Sequence, residues 1–161
     1  MVQLSSTRKT IARNMLNSTQ SAAHISLFDE TEISQLVKLR ERYRHIFSEK
    51  NIHLTDLPYC LKALVRAIFD YPVLNSEMDM ENNRLIYKKY CNKGTAMDTE
   101  EKAQKARERK LSLSDFKDGT FTVTSYGSIG GLWDNAIIYY PQAGILCIGR
   151  KHQQPVDMFI R

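Results

Sequence analysis

The sequence of 161 residues is poor in the features that announce many functions outright. Its three cysteines, Cys60, Cys91 and Cys147, are odd in number, far apart and include no C-x-x-C pair. That spacing excludes a metal knuckle and a thioredoxin-like site, and free thiols buried in a reducing compartment fit it best. Only four prolines and seven glycines occur, so no low-complexity linker is present. Apolar runs are a few residues long, far short of the roughly 20 that a bilayer-crossing helix needs. The opening MVQLSSTRKT lacks the apolar core of a secretory signal. A G-x-G-x-x-G fingerprint and a Walker loop are also missing. Gly127, Gly130 and Gly131 have the wrong spacing, and no Lys-Ser/Thr pair follows them. By themselves these glycines read as a hairpin or bulge. No G-x-S-x-G elbow is found.

What is present looks globular. Hydrophobic residues make up 42% and charged residues 25%, which excludes fibrous and disordered classes and favours one compact domain. The net charge is 23 − 18 = +5. The basic residues alternate with acidic ones, as in Arg107-Glu108-Arg109-Lys110, so solvated helix faces are favoured over a nucleic-acid stripe. His45 and Glu49 share a helix face, but one His and one Glu are too few for a metal site. His53 and His152 sit in polar, loop-like stretches. His24 begins a β-prone run, where a structural role is favoured over a site-lining one.

Periodicity places a first helix over about Ser6–Gln20, capped by Ser5 or Ser6. A short strand is expected at His24–Phe28 and a second helix over about Glu32–Glu49, with the Arg40 stem lying along its apolar stripe. The third helix follows Thr55 or Asp56 and ends at Tyr71-Pro72. Its Leu57, Cys60, Leu61, Leu64, Val65 and Ile68 should face the core. Strands are expected over Arg84–Tyr90, through Gly94–Met97, over Thr120–Ser125, at Ala136–Ile138 and at Ile145–Ile148. A very polar helix is expected over Glu100–Lys110. Helices first and strands later indicate an α+β or mixed-sheet sandwich.

Longer stretches carry a resemblance. The run TRKTIARNML (7–16) followed by His24, then LTDLPYCLKALVRAI (54–68), YPVLNS (71–76), NKGTAMDTE (92–100), DGTFTVTSYGSIGG (118–131) and IIYYPQAGILCIGR (137–150), resembles the catalytic domain of dihydrolipoamide acyltransferases. These are the cores of 2-oxo acid dehydrogenase complexes, and the stretches stand in family order over nearly the whole chain. The resemblance implies a chloramphenicol-acetyltransferase-like sandwich of a mixed β-sheet with helices. It implies homotrimers that assemble into larger cores, at work with the dehydrogenase and dihydrolipoamide dehydrogenase components. It also implies acyl transfer between a lipoyl group, carried on a separate lipoyl domain, and coenzyme A. No metal, nucleic acid or membrane is implied, and the expected location is a bacterial or archaeal cytoplasm, with a mitochondrial matrix as the alternative.

By the same resemblance the family's oxyanion-stabilising hydroxyl falls on Thr124, beside Ser125. Arg8 and His24 are further substrate-binding candidates. The family's general base lies in a D-H-R-x-x-D-G motif, and no histidine here precedes an aspartate by four: those positions hold Phe28, Glu49, Leu57 and Val156. A G-L-x-x-P-V stretch expected near Glu100-Glu101 is also missing. The reading is therefore residues 1–161 as an acyltransferase core lacking an internal strand and its catalytic segment. A non-catalytic scaffold of the same fold is the alternative, and a basic nucleic-acid module is a third.

Overall fold

The computed structural model describes residues 3–91, 93–94 and 119–153. The expected continuation of a strand to Met97, the polar helix over Glu100–Lys110 and the stretch Asp157–Arg161 lie outside them.

Helix α1 spans Ser6–Ser21. Ser5 caps it, its hydroxyl oxygen accepting from the Arg8 N–H at 3.4 Å. Helix α2 spans Ser34–Ser48, and the Glu32 carboxylate accepts from the Ser34 N–H at 2.6 Å ahead of its first turn. Its end is set by Asn51, whose φ of 57° lets the Ile52 and Asn51 N–H groups turn back to the carbonyls of Phe47 and Ser48. Helix α3 spans Leu57–Asp70 and leads through a 3₁₀ turn, Pro72–Asn75, into the chain's first hairpin.

Strands β1 (Ser76–Asp79) and β2 (Arg84–Tyr87) pair antiparallel. Asp79 shapes their turn by accepting from the Asn82 backbone and side chain and from Arg84. β2 stops short of the expected Tyr90 because Asn75 captures the chain there. The Lys88 N–H donates to the Asn75 carbonyl, and Asn75 Nδ2 donates to the carbonyls of Lys88 and Tyr90. A second, parallel sheet has the order β3 (Lys93–Gly94), β4 (Phe121–Ser125), β5 (Ile145–Ile148).

Alternation along β4 divides its side chains. Phe121 and Val123 are buried against Leu64 and Ile68 of α3, with Leu146 and Ile148 of β5 packed alongside. Full burial of such a side chain stabilises by about 1.5–3 kcal/mol. Thr122 and Thr124 therefore face away from α3, opposite Ile145 and Cys147 in the ladder.

Two expected strands do not form. His24–Phe28 has no ladder partner, and Ile25 is 84% and Leu27 93% exposed. Ala136–Ile138 is likewise outside any sheet. Side chains hold this pair of segments in place of a ladder. Ser18, fully buried on α1, donates to the Ile138 carbonyl and accepts from the Tyr140 N–H, while Ser26 donates to Asn135. The three cysteines are free but half-buried, not fully buried as expected.

Candidate functional site

A cavity of about 320 Å³ opens on the face of the parallel sheet away from α3. The extended segment His24–Asp29 forms one wall, the loop from Tyr126 to Asp134 a second, and β5 with Ala143 and Gly144 the floor. Its size suits a small ligand, and its lining mixes apolar side chains with the polar His24, Ser26, Asp29 and Asp134. Phe28 and Trp133 meet edge-to-face at its rim, with ring centroids 5.6 Å apart.

Close backbone approach builds the loop. A Cβ on Gly127 would lie 2.8 Å from the Gly149 carbonyl oxygen and 3.0 Å from Arg150 Cα, so only glycine fits. Gly130, at the end of the 3₁₀ turn Gly127–Ile129, has a φ of 89°, a conformation that glycine adopts without strain. The Arg150 N–H donates to the Gly131 carbonyl at 2.9 Å and Tyr126 Oη donates to the Leu132 carbonyl at 3.2 Å, closing the loop over the end of β5. The glycines read from sequence as a hairpin or bulge are thus a loop clamped to the C-terminal end of the sheet, where parallel sheets commonly place ligands.

Thr124 is not among the residues that line the cavity, but it pairs in the ladder with Cys147, which is. Its hydroxyl has no hydrogen-bond partner among the described residues. Ser125 follows on the other face, opposite Ile148. Thr122 donates to Gln142 Oε1 at 2.5 Å, and Gln142 Nε2 donates to the Gly119 carbonyl at 3.0 Å. Gln142 thereby ties the start of β4 to the approach to β5.

His24 lines the same cavity, but both its ring nitrogens are engaged. Nδ1–H donates to the Ala22 carbonyl at 3.0 Å, and Nε2 accepts from the Ile138 N–H at 3.1 Å. These partners set its tautomer and leave no lone pair to take a proton from a substrate. Arg8 is exposed in the first turn of α1 and is not among the residues that line the cavity. Of the predicted site residues the structure therefore places only His24 in the cavity lining, with Thr124 one ladder partner away through Cys147, and Ser125 and Arg8 outside it.

Sequence reasoning missed Tyr126, Trp133, Asp134 and Cys147 as lining residues. The only signal for them was their position after or opposite the Thr124 strand. Burial, then the neighbouring Asp134 carboxylate, pushes the Cys147 thiol up from its ordinary range. Burial, Cys147 and Asp134 likewise push the Tyr126 phenol up. A thiol so raised is a poor nucleophile near neutrality, so Cys147 lines the cavity as a thiol. Among the described residues no group of three His, Cys, Asp or Glu side chains is placed to hold a metal ion. No helix among them is long and apolar enough to cross a membrane.

A second anchor lies outside the cavity. Asp56, at the start of α3, accepts from Arg40 of α2 at 2.9 and 3.0 Å and from Lys151 beyond β5 at 2.6 Å. The carboxylate expected to cap α3 is used instead to join three segments, with no capping hydrogen bond of its own.

The α+β arrangement, with a parallel sheet packed on α3 and a cavity beside a glycine-clamped loop, agrees with the chloramphenicol-acetyltransferase-like fold that the resemblance implies. Comparison with known proteins narrows this. The model of the 2-oxoacid dehydrogenases acyltransferase catalytic domain matches residues 1–102 and 100–159, and the chain belongs to that family. The acetyltransferase component of the pyruvate dehydrogenase complex of Bacillus subtilis is 36% identical over 178 residues, covering 96% of this chain. The chain spans 40% of the length of that relative. A probable dihydrolipoamide acetyltransferase from Listeria monocytogenes superposes with a TM-score of 0.88 at 29% identity, covering 97% of this chain and 76% of that one. The Azotobacter vinelandii dihydrolipoamide acetyltransferase, studied for the roles of a serine, a histidine and an asparagine in catalysis, gives 0.87 at 25% identity, covering 97% and 74%.

Proposed function

We propose that this chain is the acyltransferase core of a 2-oxo acid dehydrogenase complex, moving an acyl group between dihydrolipoyl-lysine and coenzyme A. The observation that carries the reading is Thr124, a hydroxyl without a partner among the described residues, paired in the ladder with the cavity-lining Cys147. In the reaction the coenzyme A sulfur attacks the thioester carbonyl carbon. Thr124 Oγ1–H donates to the oxyanion that forms, and collapse expels the dihydrolipoyl sulfur. A donor aimed at developing charge is worth about 10²–10³ in rate. The cavity, with Phe28 and Trp133 among its lining residues, has room for the thin arms that carry both thiols.

The proton on the attacking thiol needs a base, and residues 1–161 do not supply one in the described structure. His24 spends both nitrogens on backbone groups, and no histidine stands four residues before an aspartate. In this proposal the base comes from outside residues 1–161, His24 positions the cavity wall, Ser125 flanks the oxyanion donor, and the exposed Arg8 attracts coenzyme A phosphates. The alignment with the Bacillus subtilis relative runs over 178 positions against 161 residues here, which supports a shortened internal segment near Glu100.

Exposed apolar side chains at Ile25, Leu27, Phe28, Ile129 and Trp133 support assembly through this face into a homotrimer and a larger core. Lipoyl domains and the dehydrogenase and dihydrolipoamide dehydrogenase components are the further partners, in a bacterial cytoplasm. The locked His24 also favours a second reading, a scaffold of this fold without chemistry. Transfer from S-acetyl-dihydrolipoamide to coenzyme A separates the two. Under the first reading the native gene product turns over and residues 1–161 alone do not. Inactivity of the native product supports the scaffold, and base-dependent turnover by residues 1–161 alone overturns the assignment of the base.

A further inference from the structure

We propose that Asp56 is a positioning residue whose carboxylate, through Lys151, latches the glycine-clamped loop from Tyr126 to Asp134 onto α2 and α3. The latch is independent of the reaction and of what the cavity binds. Three segments far apart in sequence meet at this carboxylate. Arg40 Nη1 of α2 donates to Asp56 Oδ1 at 2.9 Å and to Oδ2 at 3.0 Å, and Lys151 Nζ donates to Oδ2 at 2.6 Å. Glu41 accepts from Arg40 Nη2 at 2.5 Å and lies 3.6 Å from Arg44 Nη1, so the Arg40 guanidinium is held from two sides. Charges joined in a network hold their geometry better than an isolated surface pair. An aspartate just before a helix ordinarily spends its side chain on a capping hydrogen bond, and Asp56 makes none. Helix α2 has no fully buried side chain, so it depends more than α3 does on contacts of this kind.

Lys151 stands one residue beyond the backbone that clamps the loop. The Arg150 N–H donates to the Gly131 carbonyl at 2.9 Å, and the Tyr126 N–H donates to the Ile148 carbonyl at 3.1 Å. A Cβ on Gly149 would lie 2.6 Å from the Leu132 carbonyl oxygen, so this backbone lies directly against the loop. Residues 148–151 thus touch the loop with their backbone and Asp56 with a side chain, and whatever steadies Lys151 steadies the clamp. The Lys151 and Asp56 side chains are 46% and 24% exposed, which leaves their pair open to screening by salt. A pair so placed biases the loop toward its clamped form by about two- to fivefold.

Amide hydrogen exchange, resolved by peptide mass, tests the latch on the native gene product and on Lys151→Met, which keeps an unbranched stem and removes the charge. The expected result at low salt is about two- to fivefold faster exchange over residues 126–134 and 149–151, with the β1–β2 hairpin, residues 76–87, unchanged. Asp56→Asn speeds the same residues, and adding Lys151→Met to it changes little more, because both substitutions remove one contact. High salt speeds loop exchange in the wild type and not in Lys151→Met, which separates a charge latch from packing of the lysine stem. Loop exchange in Lys151→Met equal to wild type, an equal acceleration in the hairpin, or a salt response that survives the substitution overturns the proposal.

Discussion

Replacing His24 with Phe separates a positioning role from a catalytic one. The substitution keeps a ring of similar volume, so loss of packing is small. It removes the bridge from the Ala22 carbonyl, 3.0 Å from Nδ1, to the Ile138 N–H, 3.1 Å from Nε2. Each backbone group left without a partner costs about 1–3 kcal/mol when buried. His24 is half-buried, so the lower figure applies to each and the total is about 2 kcal/mol. For a chain of this size that lowers the melting temperature by roughly 4–8 °C. Thermal melts followed by circular dichroism read this directly. His24→Asn keeps one donor and one acceptor but cannot span both partners, and it should fall between Phe and wild type. A His24→Phe protein that melts with wild type yet loses all acyl transfer in the native gene product would refute the reasoning and make His24 the base.

Gly127→Ala places a methyl 2.8 Å from a backbone oxygen that cannot swing aside, and should cost about 1–3 kcal/mol as a shift in the urea midpoint. Gly130→Ala meets open space, so its cost comes from backbone conformation alone, about 1–2 kcal/mol, by the same assay. The hydrogen bonds from Asn82, then Arg84, hold the Asp79 carboxyl below its ordinary range. A depressed native value means that its contribution is present above the unfolded-state value and is lost as pH falls through the native one. The β1–β2 hairpin should therefore loosen in acid below the ordinary carboxylate range, seen as faster amide exchange at Arg84–Tyr87. Asp79→Asn should flatten that pH dependence.

Elements with strong local signals were readable from sequence. Ser5, the i, i+3, i+4 apolar spacing and Tyr71-Pro72 mark α1 and α3 to within a residue or two. Phe121 and Val123 alternate with Thr122 and Thr124 as a half-buried strand must. His24–Phe28 and Ala136–Ile138 differ from expectation because β-prone composition reports a tendency to extend, not a ladder partner, and neither segment lies in a sheet. The Ile138 carbonyl and N–H go to the Ser18 and His24 side chains, more than a hundred residues away in sequence, a pairing no local pattern contains. The fate of Asp56 was hidden for the same reason. A capping aspartate and an aspartate shared by Arg40 and Lys151 look alike until the chain returns. Thr124 was reachable only through the family stretch around it, since a threonine in a strand is ordinary by composition. Cys147 became visible as its neighbour only through the β4–β5 register.

The oxyanion role of Thr124 is the account's central claim, and Thr124→Val tests it most directly because it removes the hydroxyl and keeps the shape. The measurement is kcat for acetyl transfer from S-acetyl-dihydrolipoamide to coenzyme A by the native gene product, with Thr124→Ser alongside. The account predicts a fall of about 10²–10³ for valine, substantial retention for serine, and a KM changed far less than kcat. A valine variant that keeps the wild-type kcat would contradict it.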